Sequence, residues 1–347
     1  MRNRYEPYAV LLYMFLLVSG ISGCSFGFGA TPTPPPPPTP IPPPLGKIVF
    51  ATNVAYGKRE IYLMDTDGSN LINLTQHPAD DSDPAWSPDG RRIVYVSIRD
   101  NRRQLMIMDI ETRETYLLKG EHLPKTDGAS PRSDSDPVWS PDGQWIAYTS
   151  STLTPVANIY KIRIDGTEET QLTNYRAPDV QPTWSPDGKQ IAFSSWRRND
   201  PDETFLSPEE KNIFIMNADG SNVRRLTDDR DTENINPQWS QDGQWIVYTS
   251  RREVTNPPGS IMLLIRQNVI TQERQEIRRV RNRFMTADLS PDGQWLVFEE
   301  WTQNRDFVRI EGDMKLEGSL TLCFVQVTGQ NYQCLETLVH SPNGSPP

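Results

Sequence analysis

The stretch "PAWSPDG" at residues 84–90 recurs along this chain and decides its fold. Proline presets the second position of a type I turn, aspartate suits the third and glycine the fourth. Repetition at intervals of 45 to 55 residues indicates scaffold rather than an active site. Copies built around tryptophan stand at 86–90, 139–143, 184–188 and 239–243, and a fifth copy, with leucine in place of tryptophan, stands at 289–293.

Each turn is followed by a strand that is apolar on consecutive residues, as in "RRIVYVS" and "QWIAYTS". Such runs predict strands that are covered on both faces. A second apolar strand follows, and many repeats close with a Leu-Thr pair, so each repeat has room for four short strands. This pattern predicts an all-β protein, a β-propeller in which each repeat is one four-stranded antiparallel blade.

The two ends of the repeat region complement each other. The first strand, in "LGKIVFAT" at 45–52, matches the strand after the turn but lacks the turn. The C-terminal "HSPNG" at 340–344 is a degenerate copy of the turn. Joined in a circle, this copy runs directly into Gly46, so the C-terminal strand is expected to join the first blade and close the ring. The prediction is a six-bladed propeller over residues 45–347.

Two further stretches point to a known family. "IYLMDTDGSN" at 61–70 and "IFIMNADGSN" at 213–222, together with the Trp-Ser-Pro-Asp-Gly turns, resemble the WD40-like (PD40) propeller repeats of the TolB type. The resemblance covers about residues 45–344 and implies the fold strongly and the function weakly. TolB has an additional N-terminal α/β domain, in whose place this chain has a different segment, so its envelope partners do not carry over.

That N-terminal segment predicts export. Arg2 and Arg4 precede an apolar run, Ala9–Val18, which is too short to span a bilayer and suits a signal-peptide core. The run leads to Ile21-Ser22-Gly23-Cys24, which resembles the lipobox of bacterial lipoproteins. We expect residues 1–23 to be a lipoprotein signal peptide and Cys24 to be lipidated. An ordinary signal peptide with an incidental cysteine is the alternative.

Residues 24–44 form a linker rich in proline and threonine. Its stretch "TPTPPPPPTPIPPP", Thr31–Pro44, predicts extended polyproline II that holds the folded part roughly 40 Å from the lipid. The expected location is therefore lipid-anchored to the cell membrane, facing the periplasm or the extracellular side. In such a compartment Cys323 and Cys334, which flank a predicted turn at Thr328-Gly329, are candidates for a disulfide.

No catalytic motif stands out in residues 45–347. A Gly-x-Ser-x-Gly nucleophile elbow, a phosphate-binding glycine loop, Cys-x-x-Cys and His-Glu-x-x-His are all missing. Some sugar-acid lyases that resemble this repeat family bind a metal through several histidines, whereas this chain has only His77, His122 and His340. The sequence thus predicts a protein that is not an enzyme and has no resident cofactor.

An acidic column precedes the motif tryptophans. Its members are Asp81, Asp134, Asp179 and Asn234, five residues before each tryptophan, with Asp83 and Asp136 two residues further on; Phe284 and Leu335 break the pattern. One interpretation is that each carboxylate caps a local turn and bonds the next blade. The other is a negative ring at a channel mouth that binds a cation such as Ca²⁺ or a basic peptide.

The long insertions all fall on the face opposite the Ser-Pro-Asp-Gly turns. They run from Lys119 to Ser133, from Arg197 to Lys211 and from Trp301 to Ser319. Binding residues tend to lie on variable loops above a rigid scaffold, although simple tolerance of insertions also explains them. The candidate interaction residues on this face are Trp196, Arg197, Arg198, Phe205 and Trp301.

Together these observations predict a non-catalytic cell-envelope lipoprotein whose monomeric propeller binds an envelope or extracellular protein or peptide. The net charge of −10 argues against nucleic acid as the partner. A carbohydrate-binding or metal-dependent carbohydrate-cleaving propeller is the alternative, and a purely structural spacer is a third interpretation.

Overall fold

The computed structural model describes twelve stretches of the chain, and within them the regular structure consists of strands and turns. They are residues 46–52, 58–100, 102–118, 133–151, 156–197, 210–229, 232–255, 258–280, 287–303, 309–310, 313–314 and 318–335. No helix in these stretches is long and apolar enough to cross a membrane. The predicted signal peptide, Cys24, the proline-rich linker and the degenerate turn at 340–344 lie outside them.

The strands form six consecutive units, which we number in chain order. Unit 1 has three strands, β1 (Lys47–Thr52), β2 (Glu60–Asp65) and β3 (Ile72–Asn73). Unit 2 contains β4 (Asp80–Trp86), β5 (Arg92–Arg99), β6 (Arg102–Asp109) and β7 (Thr115–Leu117). Unit 3 contains β8 (Ser133–Trp139), β9 (Trp145–Ser151), β10 (Asn158–Arg163) and β11 (Thr170–Gln171). A single parallel pair, Arg103 with Ser133, joins units 2 and 3 into one eight-stranded sheet.

The remaining units repeat the four-stranded antiparallel pattern. Unit 4 contains β12 (Asp179–Trp184), β13 (Gln190–Ser195), β14 (Asn212–Asn217) and β15 (Arg224–Arg225). Unit 5 contains β16 (Glu233–Trp239), β17 (Trp245–Thr255), β18 (Pro258–Asn268) and β19 (Arg274–Val280). Unit 6 contains β20 (Ala287–Leu289), β21 (Trp295–Gln303), β24 (Gly318–Gln326) and β25 (Gln333–Cys334), and a separate small hairpin pairs β22 (Arg309–Ile310) with β23 (Asp313–Met314).

The core lies between the units rather than within them. Five apolar clusters are each shared by two consecutive units, from units 1 and 2 through to units 5 and 6. On β5, the consecutive residues Ile93, Val94, Tyr95 and Val96 are at most 1% exposed, because units 1 and 3 cover opposite faces of the strand. This is the burial that the uninterrupted apolar runs predict. The motif tryptophan packs towards the preceding unit, where Trp139 Nε1 donates to the Ala85 carbonyl at 3.2 Å.

The Ser-Pro-Asp-Gly stretch forms the turn that its sequence predicts. Gly90 N donates to the Ser87 carbonyl at 2.9 Å, and the Ser87 hydroxyl donates to Asp89 Oδ1 at 2.5 Å. The Ser87 hydroxyl holds the pKa of Asp89 below its ordinary value, and the Arg91 N–H adds to this effect. Successive turns also pack on one another, since a Cβ placed on Gly143 would lie 3.9 Å from Cδ of Pro88. The motif is therefore part of the scaffold.

Unit 1 differs from the others because, among the described residues, no strand pairs with the inner edge of β1. Most of β1 is half-buried along its length, whereas the central residues of β5, β9 and β13 are buried. On its other edge β1 pairs with β2 in an ordinary antiparallel register from Lys47–Asp65 to Thr52–Glu60. The described strands thus leave one sheet edge open at the position where a fourth strand stands in every other unit.

Candidate functional site

The acidic column lies on the first strands of the units, which contact one another in order from β4 through β8, β12 and β16 to β20. Each member faces a serine on the next strand of its own unit. The register pairs are Asp81 with Ser97, Asp134 with Ser150, Asp179 with Ser195 and Asn234 with Ser250. All four column residues are buried, at 5% exposure or less. The structure therefore places them between strands, away from solvent.

Most of the column is tied by hydrogen bonds. The Ser150 hydroxyl donates to Asp134 Oδ1 at 2.5 Å, and the Ser195 hydroxyl donates to Asp179 Oδ1 at 2.6 Å. In unit 5 the column residue is Asn234, whose Nδ2 donates to Thr227 Oγ1 at 3.3 Å. Buried polar groups of this kind cost stability unless they are paired, and the pairs link the first strand to its surroundings.

Arg197, a predicted interaction residue, belongs to the column instead of standing free above it. Its Nε and Nη2 donate to the two oxygens of Asp179 at 3.0 and 2.6 Å. The guanidinium also stacks on Tyr175, with 4.8 Å to the ring centroid, and lies 5.5 Å from the ring of Phe193. With 13% of its side chain exposed, Arg197 has little surface left for a partner.

Asp81 is the exception in the column. It is 0% exposed, and neither carboxylate oxygen has a hydrogen-bond partner among the described residues. Burial raises the pKa of Asp81. Arg99 stands two residues after Ser97, as Arg197 stands after Ser195, yet Arg99 Nε donates to the Ser97 hydroxyl at 3.1 Å.

Asp83 and Asp136 are the two predicted residues that the structure brings together near solvent. Each sits in a β-bulge with a left-handed backbone, at φ of 53° and 51°. Arg103 Nη2 donates to Asp83 Oδ2 at 2.9 Å, and Arg103 Nε donates to the Asp134 carbonyl at 3.1 Å. Burial raises the pKa of Asp136, the Thr149 hydroxyl opposes the rise, and the negative charge of Asp83 adds to it. We call Asp83, Arg103 and Asp136 the bulge site.

The same bulge recurs in units 4 and 5, where neutral residues occupy it. The sequence analysis did not predict these bulges. Gln181 and Asn236 have φ of 57° and 54°. Gln181 N donates to Thr149 Oγ1 at 3.0 Å, and Asn236 N donates to Gln181 Oε1 at 3.2 Å, so the bulges are bonded from unit to unit. The signal for them was a proline directly after each bulge residue, at 84, 137, 182 and 237, because proline in a strand often marks a bulge.

Asp288 on β20 is a carboxylate on the first strands that the sequence analysis did not single out. Its side chain is exposed. Gln238 Nε2 on β16 lies 3.5 Å from Asp288 Oδ1. No acidic residue stands at the corresponding place of units 2 to 4, where Ala85, Val138 and Thr183 are found, so a column search does not detect it.

The remaining candidates are only partly described. The half-buried Trp196 stacks with Lys211, whose Nζ is 4.6 Å from the ring centroid and 3.1 Å from Glu233 Oε1. Trp301 lies on β21, and Arg198 and Phe205 lie outside the described residues, as do His122 and His340. His77 Nδ1 accepts a bond from Ala79 N at 3.0 Å. Within the described stretches, no group of three His, Cys, Asp or Glu side chains is arranged to hold a metal ion.

The predicted cysteine pair forms a disulfide in the structure. Cys323 on β24 and Cys334 on β25 are direct cross-strand partners and are covalently joined. Cys323 is fully buried, whereas Cys334 is exposed. The bond therefore reaches from the core between units 5 and 6 to the surface.

Comparison with known proteins supports the fold. Residues 122–202 match the PD40 family model, described as the TolB beta propeller domain. The chain is 33% identical over 201 residues to an uncharacterised protein of Agrobacterium fabrum, covering 56% of this chain and 63% of that protein. It is 34% identical over 191 residues to a TolB homologue of Chlorobium luteolum, covering 55% of this chain and 39% of that protein. The matches thus span less than two thirds of either relative.

Solved structures give the same result at lower identity. TolB from Acinetobacter baumannii superposes with a TM-score of 0.62 and 22% identity, over 83% of this chain and 63% of that one. An oligogalacturonate lyase in complex with manganese superposes with a TM-score of 0.55 and 16% identity, over 83% and 73%. Likeness at this level of identity establishes fold alone.

Proposed function

Because this chain contains a TolB-type β-propeller domain, we propose that it acts by binding a protein or peptide and has no catalytic activity of its own. The proposal includes export and a lipid anchor at Cys24, on the strength of the apolar run and the lipobox-like Ile21–Cys24. A lipid anchor followed by a proline-rich spacer keeps a binding domain at the membrane yet clear of its surface.

We further propose that the domain has six blades and that the C-terminal stretch completes the first. Five described units have four strands, and unit 1 has three with an open edge on β1. Unit 6 also meets unit 1, since a Cβ placed on Gly68 would lie 3.5 Å from Leu335 Cδ1. The segment after Leu335 carries the degenerate turn motif and is long enough to supply the missing strand.

The bulge site is the proposed contact point for the partner, and the juxtaposition of Asp83 and Asp136 supports this assignment most directly. Two carboxylates on neighbouring first strands share a single arginine, so the site has a surplus of negative charge. A positive group from a partner would offset the negative charge of Asp83, which adds to the effect of burial in raising the pKa of Asp136. A basic peptide segment is therefore the proposed ligand, with Ca²⁺ as a smaller ligand of the same charge sign.

Cross-linking in intact cells that express the full chain tests this function. The captured proteins are identified by mass spectrometry for the wild type and for the double variant Asp83→Asn, Asp136→Asn. A matched control, Glu111→Gln with Glu114→Gln, removes two charges from an exposed turn of the same unit. We expect the partner to be lost only in the first variant. Calorimetric titration with Ca²⁺ tests the cation separately, and no heat together with an unchanged melting temperature would exclude it.

A carbohydrate ligand is the second candidate, favoured by a cleft between units 3 and 4. The cleft has a volume of about 450 Å³ and is lined by Trp145, Trp184, Lys161, Asp142 and Asp187 among others. Aromatic rings beside carboxylates suit sugar recognition. A glycan array with the wild type and Trp145→Ala, together with metal analysis of the purified protein, distinguishes this function from peptide binding.

A further inference from the structure

The junction between unit 6 and unit 1 is constructed differently from three other junctions. At those, the glycine of an Asp-Gly turn or its equivalent lies against a backbone carbonyl of the preceding unit. A Cβ on Gly166, Gly220 or Gly329 would come within 2.6, 2.5 or 2.8 Å of the carbonyl oxygen of Leu118, Leu172 or Ile277. At the junction of units 6 and 1, a Cβ on the corresponding Gly68 would instead lie 3.5 Å from a side-chain atom, Leu335 Cδ1. This junction is therefore looser at the same place.

The strand that positions Leu335 is short and held covalently. β25 has two residues, Gln333 and Cys334, and pairs with β24 only through Phe324–Gln333 and Cys323–Cys334. Leu335 follows directly. A two-residue edge strand has few hydrogen bonds to hold it, so the disulfide is the main tie between Leu335 and the core of unit 6.

We propose that the Cys323–Cys334 disulfide is a redox-sensitive clasp, the bond that holds Leu335 of unit 6 against the Gly68 turn of unit 1. Oxidised, it fixes β25 and presses Leu335 against the turn at Gly68. Reduced, it leaves β25 with its few backbone bonds, and Leu335 is no longer fixed against the Gly68 turn of unit 1. The domain therefore has an oxidised state and a reduced state, and a thiol–disulfide exchange partner converts one into the other.

The different exposure of the two sulfurs determines which one a reductant attacks. A dithiol reductant attacks the exposed Cys334 Sγ, forms a mixed disulfide there, and breaks the bond to Cys323, which leaves as a thiolate and takes a proton. The second thiol of the reductant then attacks the mixed disulfide and releases Cys334, so two electrons pass from the dithiol to the protein. The Tyr332 hydroxyl lies 3.0 Å from Cys334 Sγ and 3.6 Å from Cys323 Sγ, and it donates to the Cys323 thiolate as that sulfur leaves. Arg278 stacks 3.6 Å from the Tyr332 ring centroid and adds positive charge nearby.

Hydrogen exchange of the full-length protein, oxidised and after treatment with dithiothreitol, tests the clasp. On reduction we expect amides in Glu60–Asn73 of unit 1 to exchange about tenfold faster, while unit 4 is unchanged. Leu335→Ala should produce the same effect with the disulfide intact, and reduction should then add little. Leu172→Ala, a matched change at the junction of units 3 and 4, should leave the response of unit 1 to reduction as in the wild type.

Two outcomes would overturn the proposal. One is acceleration confined to residues 318–335 on reduction, which would make the disulfide a local staple. The other is a Leu335→Ala protein whose unit 1 remains as protected as in the wild type. The direction of attack has its own readout: Tyr332→Phe should slow reduction by dithiothreitol severalfold without changing exchange in the oxidised protein. An unchanged rate would remove the proposed role of Tyr332.

Discussion

Arg197 donates a bidentate pair of hydrogen bonds to Asp179, at 3.0 and 2.6 Å, in the interior of unit 4. The Ser195 hydroxyl completes the arrangement at 2.6 Å from Asp179 Oδ1. Unit 2 has the same three residue types at the same spacing, Asp81, Ser97 and Arg99, but there the arginine bonds the serine and leaves the carboxylate unpaired. The two copies of this Asp-Ser-Arg triad therefore differ. In unit 4 the arginine pairs with the aspartate, which we call the closed triad. In unit 2 the arginine bonds the serine instead, which we call the open triad.

Loss of the closed triad should destabilise the domain. Arg197→Ala leaves the buried Asp179 charge without its cation, so we expect the free energy of unfolding to fall by about 3 kcal/mol. The measurement is urea unfolding followed by tryptophan fluorescence. Arg163→Ala is the control, because Arg163 pairs with the exposed Glu168 and its removal should cost under about 1 kcal/mol. Equal losses would show that the buried Arg197–Asp179 pair stabilises the fold no more than the exposed Arg163–Glu168 pair does.

The open triad predicts the opposite effect. Asp81→Asn removes a buried carboxylate and supplies an amide donor, the group that Asn234 uses towards Thr227 in unit 5. Since leaving a buried polar group unpaired costs about 1–3 kcal/mol, the variant should be more stable than the wild type at neutral pH by an amount of that order.

The difference in stability between the wild type and Asp81→Asn should depend on pH. Burial raises the pKa of Asp81 in the folded protein above its unfolded value. Folding therefore favours the protonated form, and the wild type loses stability as the pH rises from the unfolded pKa through the folded one. Unfolding curves of the two proteins should coincide at acid pH and separate towards neutrality. A gap that stays constant with pH, or a less stable variant at neutral pH, would contradict the assignment.

Much of the scaffold could be predicted from the repeats, because its turns and buried strands depend on interactions between residues close in sequence. The turn at Ser87–Gly90 and the buried run Ile93–Val96 depend on residues within one repeat. The repeat pattern is therefore sufficient to predict both of them. The states of Asp81 and Asp179 depend on which of two acceptors an arginine side chain chooses. The bulges at Asp83 and Asp136 depend on bonds between neighbouring units. The prolines after the bulge residues repeat in the sequence, but the partner that each of these polar side chains bonds does not follow from the repeat.

The strand lengths of units 5 and 6 were also not predictable from the repeat. β17 and β18 pair over eleven residues each, from Trp245–Asn268 to Thr255–Pro258, whereas β13 and β14 pair over six. The charged residues Arg251, Arg252 and Glu253 give only a weak strand signal in the sequence. Hairpin register extends the strands there, and Arg251 Nη1 lies 3.3 Å from Glu233 Oε2 on the neighbouring strand.

The glycine of the Asp-Gly turn in unit 4 supplies the last prediction. Gly220 has φ of +87°, and a Cβ there would lie 2.5 Å from the Leu172 carbonyl oxygen. Gly220→Ala must accept both a left-handed backbone and a displaced junction with unit 3, so we expect a loss of about 3 kcal/mol. Gly90→Ala isolates the first cost, because φ is +66° and a Cβ there would meet no atom within 4 Å, and about 1 kcal/mol should be lost. Urea unfolding of both variants separates backbone strain from packing between units. Equal losses would mean that the units do not depend on this close contact.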